Sequence, residues 1–150
     1  MEKKFGGVAA LVRKSALEWG RRQIGSENYA WAAALGNWKA PSWKCNAFVI
    51  RAFNHNVIPE TIQEKINPAT WGLTKRPFLA REFYNGEVPG FELVKTPRPG
   101  DICADGIHVG IVSGPRTTIS ATETQVIEND WGFRLKDKKK IRFFRYKGIK

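Results

Sequence analysis

The chain has 150 residues, 42% of them hydrophobic, and 25 Lys and Arg against 14 Asp and Glu, for a formal net charge of +11. This length fits one domain with one core, and the ordinary apolar share, with no long polar tract and no internal repeat, excludes a disordered, low-complexity or repeat protein. The cationic excess predicts attraction to something anionic, such as nucleic acid, an acidic membrane, the bacterial envelope or an acidic protein inhibitor, unless it is simply a solvated surface; part of it lies in the run Lys136-Asp137-Lys138-Lys139-Lys140.

Residues 1–14 hold a short apolar stretch, Val8 to Val12, followed by Arg13 and Lys14. With no small-residue cleavage site ahead of a clean mature start, this segment reads as a helix or lead-in rather than a secretory signal. No segment is long enough to cross a bilayer. Ser15-Ala16-Leu17-Glu18 has the form of a capping box, Leu17, Gly20 and Ile24 continue at helical spacing, and Gly25 stops the helix. Residues 26–44 are rich in aromatic and small residues (Tyr29, Trp31, Gly36, Trp38, Pro41, Trp43), as in a structured loop or a short helix plus loop lining something.

The clearest helix follows. Cys45, Phe48, Val49, Ala52 and Phe53 recur at i, i+3, i+4, i+7 and i+8, one buried stripe, and Asn54-His55-Asn56 ends it. Residues 57–98 are broken by Pro59, Pro68, Pro77, Pro89 and Pro97 and are expected to wrap the cleft, with one short helix near 77–84. From Pro99 the pattern turns to strands: 102–104, 108–113, a turn at Gly114-Pro115-Arg116, then 117–121 with 124–131 as one long or bent strand, and 141–146. Helices first and an antiparallel sheet second make an α+β fold, a single catalytic domain over 1–150.

Two cysteines are too few for a disulfide scaffold. A bridge between Cys45 and Cys103 would destroy thiol chemistry, and neither the cysteines nor His55 and His108 have close metal-ligand spacing, so no metal and no cofactor is expected. What remains is a nucleophile with a base. With Ser42 as N-cap, Cys45 occupies the third helical position, where partial positive charge and unpaired amides favour a thiolate and stabilise an oxyanion. His108 leads a strand after a glycine turn and shares a face with Gly110 and Val112. On the strand after it, Glu128 and Asp130 share a face and Asn129 points the other way. One of the two carboxylates can accept the second ring proton of His108, Asp130 ahead of Glu128. Each piece also has a plain reading: Cys45 as a small core residue, His108 as structural, Glu128 and Asp130 as part of a turn, Cys103 as core, His55 as a helix terminator. Their joint order favours chemistry.

In that order the residues resemble a family. Ala16-Leu17-Glu18-Trp19, Gly25, Tyr29 and Lys44-Cys45-Asn46-Ala47-Phe48-Val49 are similar to the N-terminal half of NlpC-type cell-wall peptidases and the related CHAP amidases. Pro99-Gly100-Asp101-Ile102 with His108-Val109-Gly110-Ile111-Val112 resembles their histidine strand, and Ile127-Glu128-Asn129-Asp130-Trp131 resembles a CHAP segment. The resemblance covers about 15–53 and 97–133 and implies a papain-like fold that cleaves amide bonds in peptidoglycan. Small size, high charge and the missing signal look most similar to type VI secretion amidase effectors. That likeness implies export without a standard signal peptide, action in the periplasm or cell wall of a target bacterium, and an acidic immunity protein as partner. Two departures stand out: Lys44 replaces the aspartate usual before the cysteine, and the candidates for the third catalytic residue are acidic. Competing readings are a basic nucleic-acid-binding module using the cations and aromatics of 141–146, which no recognised nucleic-acid motif supports, and a thiol deamidase or acyltransferase acting on proteins.

Overall fold

A computed structural model describes residues 2–26, 43–54, 78, 80–106, 108–122, 125–130 and 141–148. Helix α1 spans Glu2–Arg22, α2 Trp43–Asn54 and α3 Ala80–Tyr84. The strands are β1 Phe91–Val94, β2 Ile102–Ala104, β3 Val109–Gly114, β4 Thr117–Ala121, β5 Val126–Asp130 and β6 Arg142–Tyr146. All pair antiparallel in one sheet of order β1-β6-β2-β3-β4-β5. The chain is therefore α+β, helices on a sheet.

The first helix begins well before Ser15, which sits mid-helix and caps nothing. Ala9, Val12 and Ala16 are buried, so the apolar stripe starts a full turn and more upstream of Ser15, and its packing carries the helix through. At its far end Gly25 adopts φ +92° and donates to the Val126 carbonyl (2.8 Å), while Val126 donates back to Ser26 (3.0 Å). The end of α1 is thereby tied to the edge strand β5.

Helix α2 matches its periodicity. Cys45, Phe48, Val49, Ala52 and Phe53 are all buried and belong to one cluster with Ile102, Val109, Ile111, Ile119 and Phe144 of the sheet. Register explains the layering: Ile102 pairs with Ile111, and Ile111 with Ile119, so these side chains stand on one face, under the helices. Cys103 and Val112 alternate to the opposite face and are also buried. Trp19 of α1 tilts against Phe48, ring centroids 5.4 Å apart, and closes the layer above.

Two parts of the sheet differ from expectation. Residues 117–131 were expected as one strand; they contain β4 and β5, folded back on each other with Ile119 opposite Glu128. The reversal is closed by Thr122, whose amide and hydroxyl donate to the Gln125 carbonyl (3.0 and 2.7 Å) and whose Oγ1 accepts from the Gln125 amide (3.3 Å). A threonine hydroxyl turn lacks the glycine or proline that marks most hairpins. Strand β1 lies inside the proline-broken segment. It forms because β6 offers an edge and because Phe91 packs on Phe53, Phe83 and Tyr146, with centroids 5.0, 5.7 and 5.2 Å away. The expected short helix is present as α3, and the loop over 27–42, Ser42 as cap, and His55 fall outside the described residues.

The turn before β2 meets both β6 and α1. Asp101 is fully buried; its carboxylate accepts from Arg145 Nε (2.9 Å) and Nη2 (2.8 Å) and from the Arg98 amide (2.7 Å). Gly100 beside it holds φ +95°, and a Cβ there would lie 3.0 Å from both Cβ and the carbonyl oxygen of Arg13. Gly100→Ala is expected to lower unfolding free energy by about 2–3 kcal/mol, through left-handed backbone strain and overpacking against α1, read as a lower urea midpoint at unchanged slope.

Candidate active site

Cys45 is the third residue of α2, where the sequence placed it, and is 5% exposed. The first turn of α2 carries no acidic residue, so the helix brings no carboxylate of its own to its positive end. Burial pushes the thiol up to about 11, the amides of Val109, Asn46 and Cys45 itself pull it down, and the charge of Asp105 adds to the upward push. The sulfur therefore lies among three backbone N–H groups. Two belong to the helix end and one to the residue directly after His108. The ladder from β3 to β4 begins only at Ile111, so Val109 stands ahead of it.

His108 precedes β3 and is half-buried. Its backbone is clamped: the His108 amide donates to Asp105 Oδ1 (2.7 Å), and the Asp105 amide donates to the His108 carbonyl (3.1 Å). Gly106, at φ +97°, permits this tight reversal. Burial lowers the His108 pKa and the Asp105 charge pulls it back up. At neutral pH Cys45 is thus a thiol and His108 a neutral imidazole, the form in which an imidazole accepts a proton.

Glu128 and Asp130 are not brought to His108. They were expected on the strand beside the histidine, but β4 stands between β3 and β5. Asp130 pairs with Thr117, which pairs with Gly114, at the opposite end of β3 from His108. Glu128 is level with Ile119 and Ile111, two strands away, and meets Arg21 at 3.6 Å on the surface. Both are exposed. The physical reason is the β4–β5 hairpin, which moves the pair sideways by two strands.

The carboxylate beside the site is Asp105, 9% exposed, a residue absent from the candidates that the sequence offers. Its signal was the dipeptide Asp105-Gly106 three residues ahead of the histidine: Asp in such a turn bonds backbone amides just downstream. Asn46, next to the thiol and fully buried, donates from Nδ2 to the Phe78 carbonyl and ties the start of α2 to the segment entering α3. Cys103 is a second cysteine outside any disulfide; burial and Asp105 both raise its pKa, and it faces away from the helices. A shallow apolar hollow, scarcely larger than a water molecule, opens between Val49, Phe53, Phe83 and Phe91, without a titratable lining residue. Among the described residues no group of three or more His, Cys, Asp or Glu could hold a metal ion, and no helix is long and apolar enough to cross a membrane. No protein-family model, curated protein or solved structure matches this chain.

Proposed function

We propose that the chain is a cysteine hydrolase of papain-like fold that cleaves amide bonds in peptidoglycan stem peptides, an antibacterial effector acting in the envelope of a target bacterium. The observation that carries this reading is the Cys45 sulfur at a helix N-terminus, among the amides of Cys45, Asn46 and Val109, with His108 immediately before the last of these. His108 takes the thiol proton as sulfur attacks the scissile carbonyl. The amides around the sulfur stabilise the oxyanion. Collapse gives a thioester, and the amine leaves with the proton from His108. Water, deprotonated by His108, then splits the thioester to a carboxylic acid and restores the thiol.

The net charge of +11 supports an anionic polymer as substrate and an acidic immunity protein as inhibitor. The test is incubation with purified sacculi and with defined muropeptides, read by mass spectrometry. Fragments carrying one added water across a stem-peptide amide are expected. Intact muropeptides, or modification of a protein glutamine instead, would remove the peptidoglycan assignment.

A further inference from the structure

We propose that Asp105 is the positioning residue of this site: its Oδ1 fixes the backbone of His108 across the β2–β3 turn, and its charge stabilises the imidazolium formed when the histidine takes the Cys45 proton. This rests on the reading of Cys45 as nucleophile. The role expected of a β5 carboxylate thus passes to a residue three positions before the histidine.

Three observations meet here. The first is mutual clamping, with the Asp105 side chain holding the His108 amide at 2.7 Å and the His108 carbonyl holding the Asp105 amide at 3.1 Å. A β-turn that closes both ways leaves the histidine one backbone position. The second is burial: Asp105 is 9% exposed, in a site where charge is weakly screened. The third is shared influence. Asp105 is the one ionisable residue that raises the pKa of both Cys45 and His108 among the described residues, burial being the larger cause at each. Burial and then the same Asp105 charge raise the Cys103 pKa as well.

One anion beside both partners acts in opposite directions on them. It disfavours a thiolate and favours an imidazolium. The proton therefore rests on sulfur until substrate arrives, and Asp105 helps only once the proton has moved to His108 and negative charge has passed from sulfur to the oxyanion. This is general-base logic, distinct from a resting thiolate–imidazolium pair.

Asp105→Asn separates the two roles, because the amide oxygen can still accept from the His108 N–H while the charge is gone. Carboxamidomethylation of Cys45 by iodoacetamide is followed against pH, located by mass spectrometry. The His108 imidazole is titrated by NMR in the same variant, with His55→Gln used to assign the second histidine. Hydrolysis of muropeptide is expected to slow about 10²-fold in kcat. Alkylation at neutral pH is expected to accelerate about threefold or more, and the His108 titration to move to lower pH. Loss of structure alone would also speed alkylation by exposing Cys45, but it would move the His108 titration up toward that of an exposed histidine, opposite to the shift expected here. An unchanged alkylation profile with an unmoved His108 titration overturns the proposal. Should Asp105→Asn not fold, Asp105→Ser keeps an acceptor without charge and is read the same way. Alkylation and titration need no substrate, so they judge Asp105 even if no muropeptide is cut; that result would remove the peptidoglycan reading separately.

Discussion

Cys45→Ala is expected to eliminate amide hydrolysis, a fall of at least about 10³-fold, while the protein stays folded. In the proposed mechanism the sulfur forms the covalent intermediate, and an alanine methyl offers nothing in its place. The fold tolerates the change because Cys45 is a small member of a cluster whose mass comes from Phe48, Val49, Ile111 and Ile119. Deleting one buried sulfur is expected to cost about 1 kcal/mol. Time courses on muropeptides give the activity; circular dichroism and a urea melt give the fold. Retained hydrolysis in this variant would remove Cys45 as nucleophile. The proposed mechanism also implies an acid limb. Burial lowers the His108 pKa, so the neutral, proton-accepting form persists to lower pH than for an exposed histidine near 6.5. The fall in kcat/KM on acidification is expected below that value.

Arg145→Met is expected to destabilise the fold by about 3–5 kcal/mol. Asp101 is fully buried, and Arg145 supplies two of the three hydrogen bonds to its carboxylate, at 2.9 and 2.8 Å. Methionine keeps most of the side-chain stem and removes the charge, so the loss measures an uncompensated buried anion rather than a cavity. Arg145 also donates to the Thr96 carbonyl (3.1 Å), and Arg13 of α1 donates to the Tyr146 carbonyl, so this corner links α1, β6 and the turn before β2. Arg13 stands close enough for Asp101 to raise its pKa against the larger lowering by burial, and its residual attraction sets the lower end of the range. Urea titration is the measurement. Adding Asp101→Asn to Arg145→Met should restore part of the loss, since the orphaned charge is gone. A loss below about 1 kcal/mol for Arg145→Met would mean that the pair does not hold this corner together.

Helix α2 was legible because five apolar residues repeat at helical spacing and nothing in tertiary structure had to choose between faces. Strands β2, β3 and β6 were legible for a related reason: short β-branched and aromatic runs between turn residues. The start of α1 was misread through a local pattern. Ser15 and Glu18 satisfy a capping box on paper, yet the buried positions Ala9 and Val12 extend the helix past them, and packing outweighs one cap. Strand β1 was invisible because its partner is some fifty residues away.

The candidate site divides along the same line. Cys45 and His108 carry local signatures, a helix start and a strand start, and these can be read one residue at a time. The third residue cannot, because a carboxylate's usefulness depends on how many strands separate it from the imidazole. The hydrogen bonds between Thr122 and Gln125 and the pairing of β4 with β5 decide that question by setting Glu128 and Asp130 on the far edge. Asp105, closest to the histidine in the chain, reaches it through a two-way turn that only backbone hydrogen bonding reveals. Residue chemistry and periodicity by themselves determined an α+β chain, a buried helix face, a thiol at its N-terminal end and a strong positive charge. Tertiary structure decided which carboxylate stands beside His108 and which solvated surface the others occupy, because strand order and register are long-range properties that alternation along a single strand does not encode.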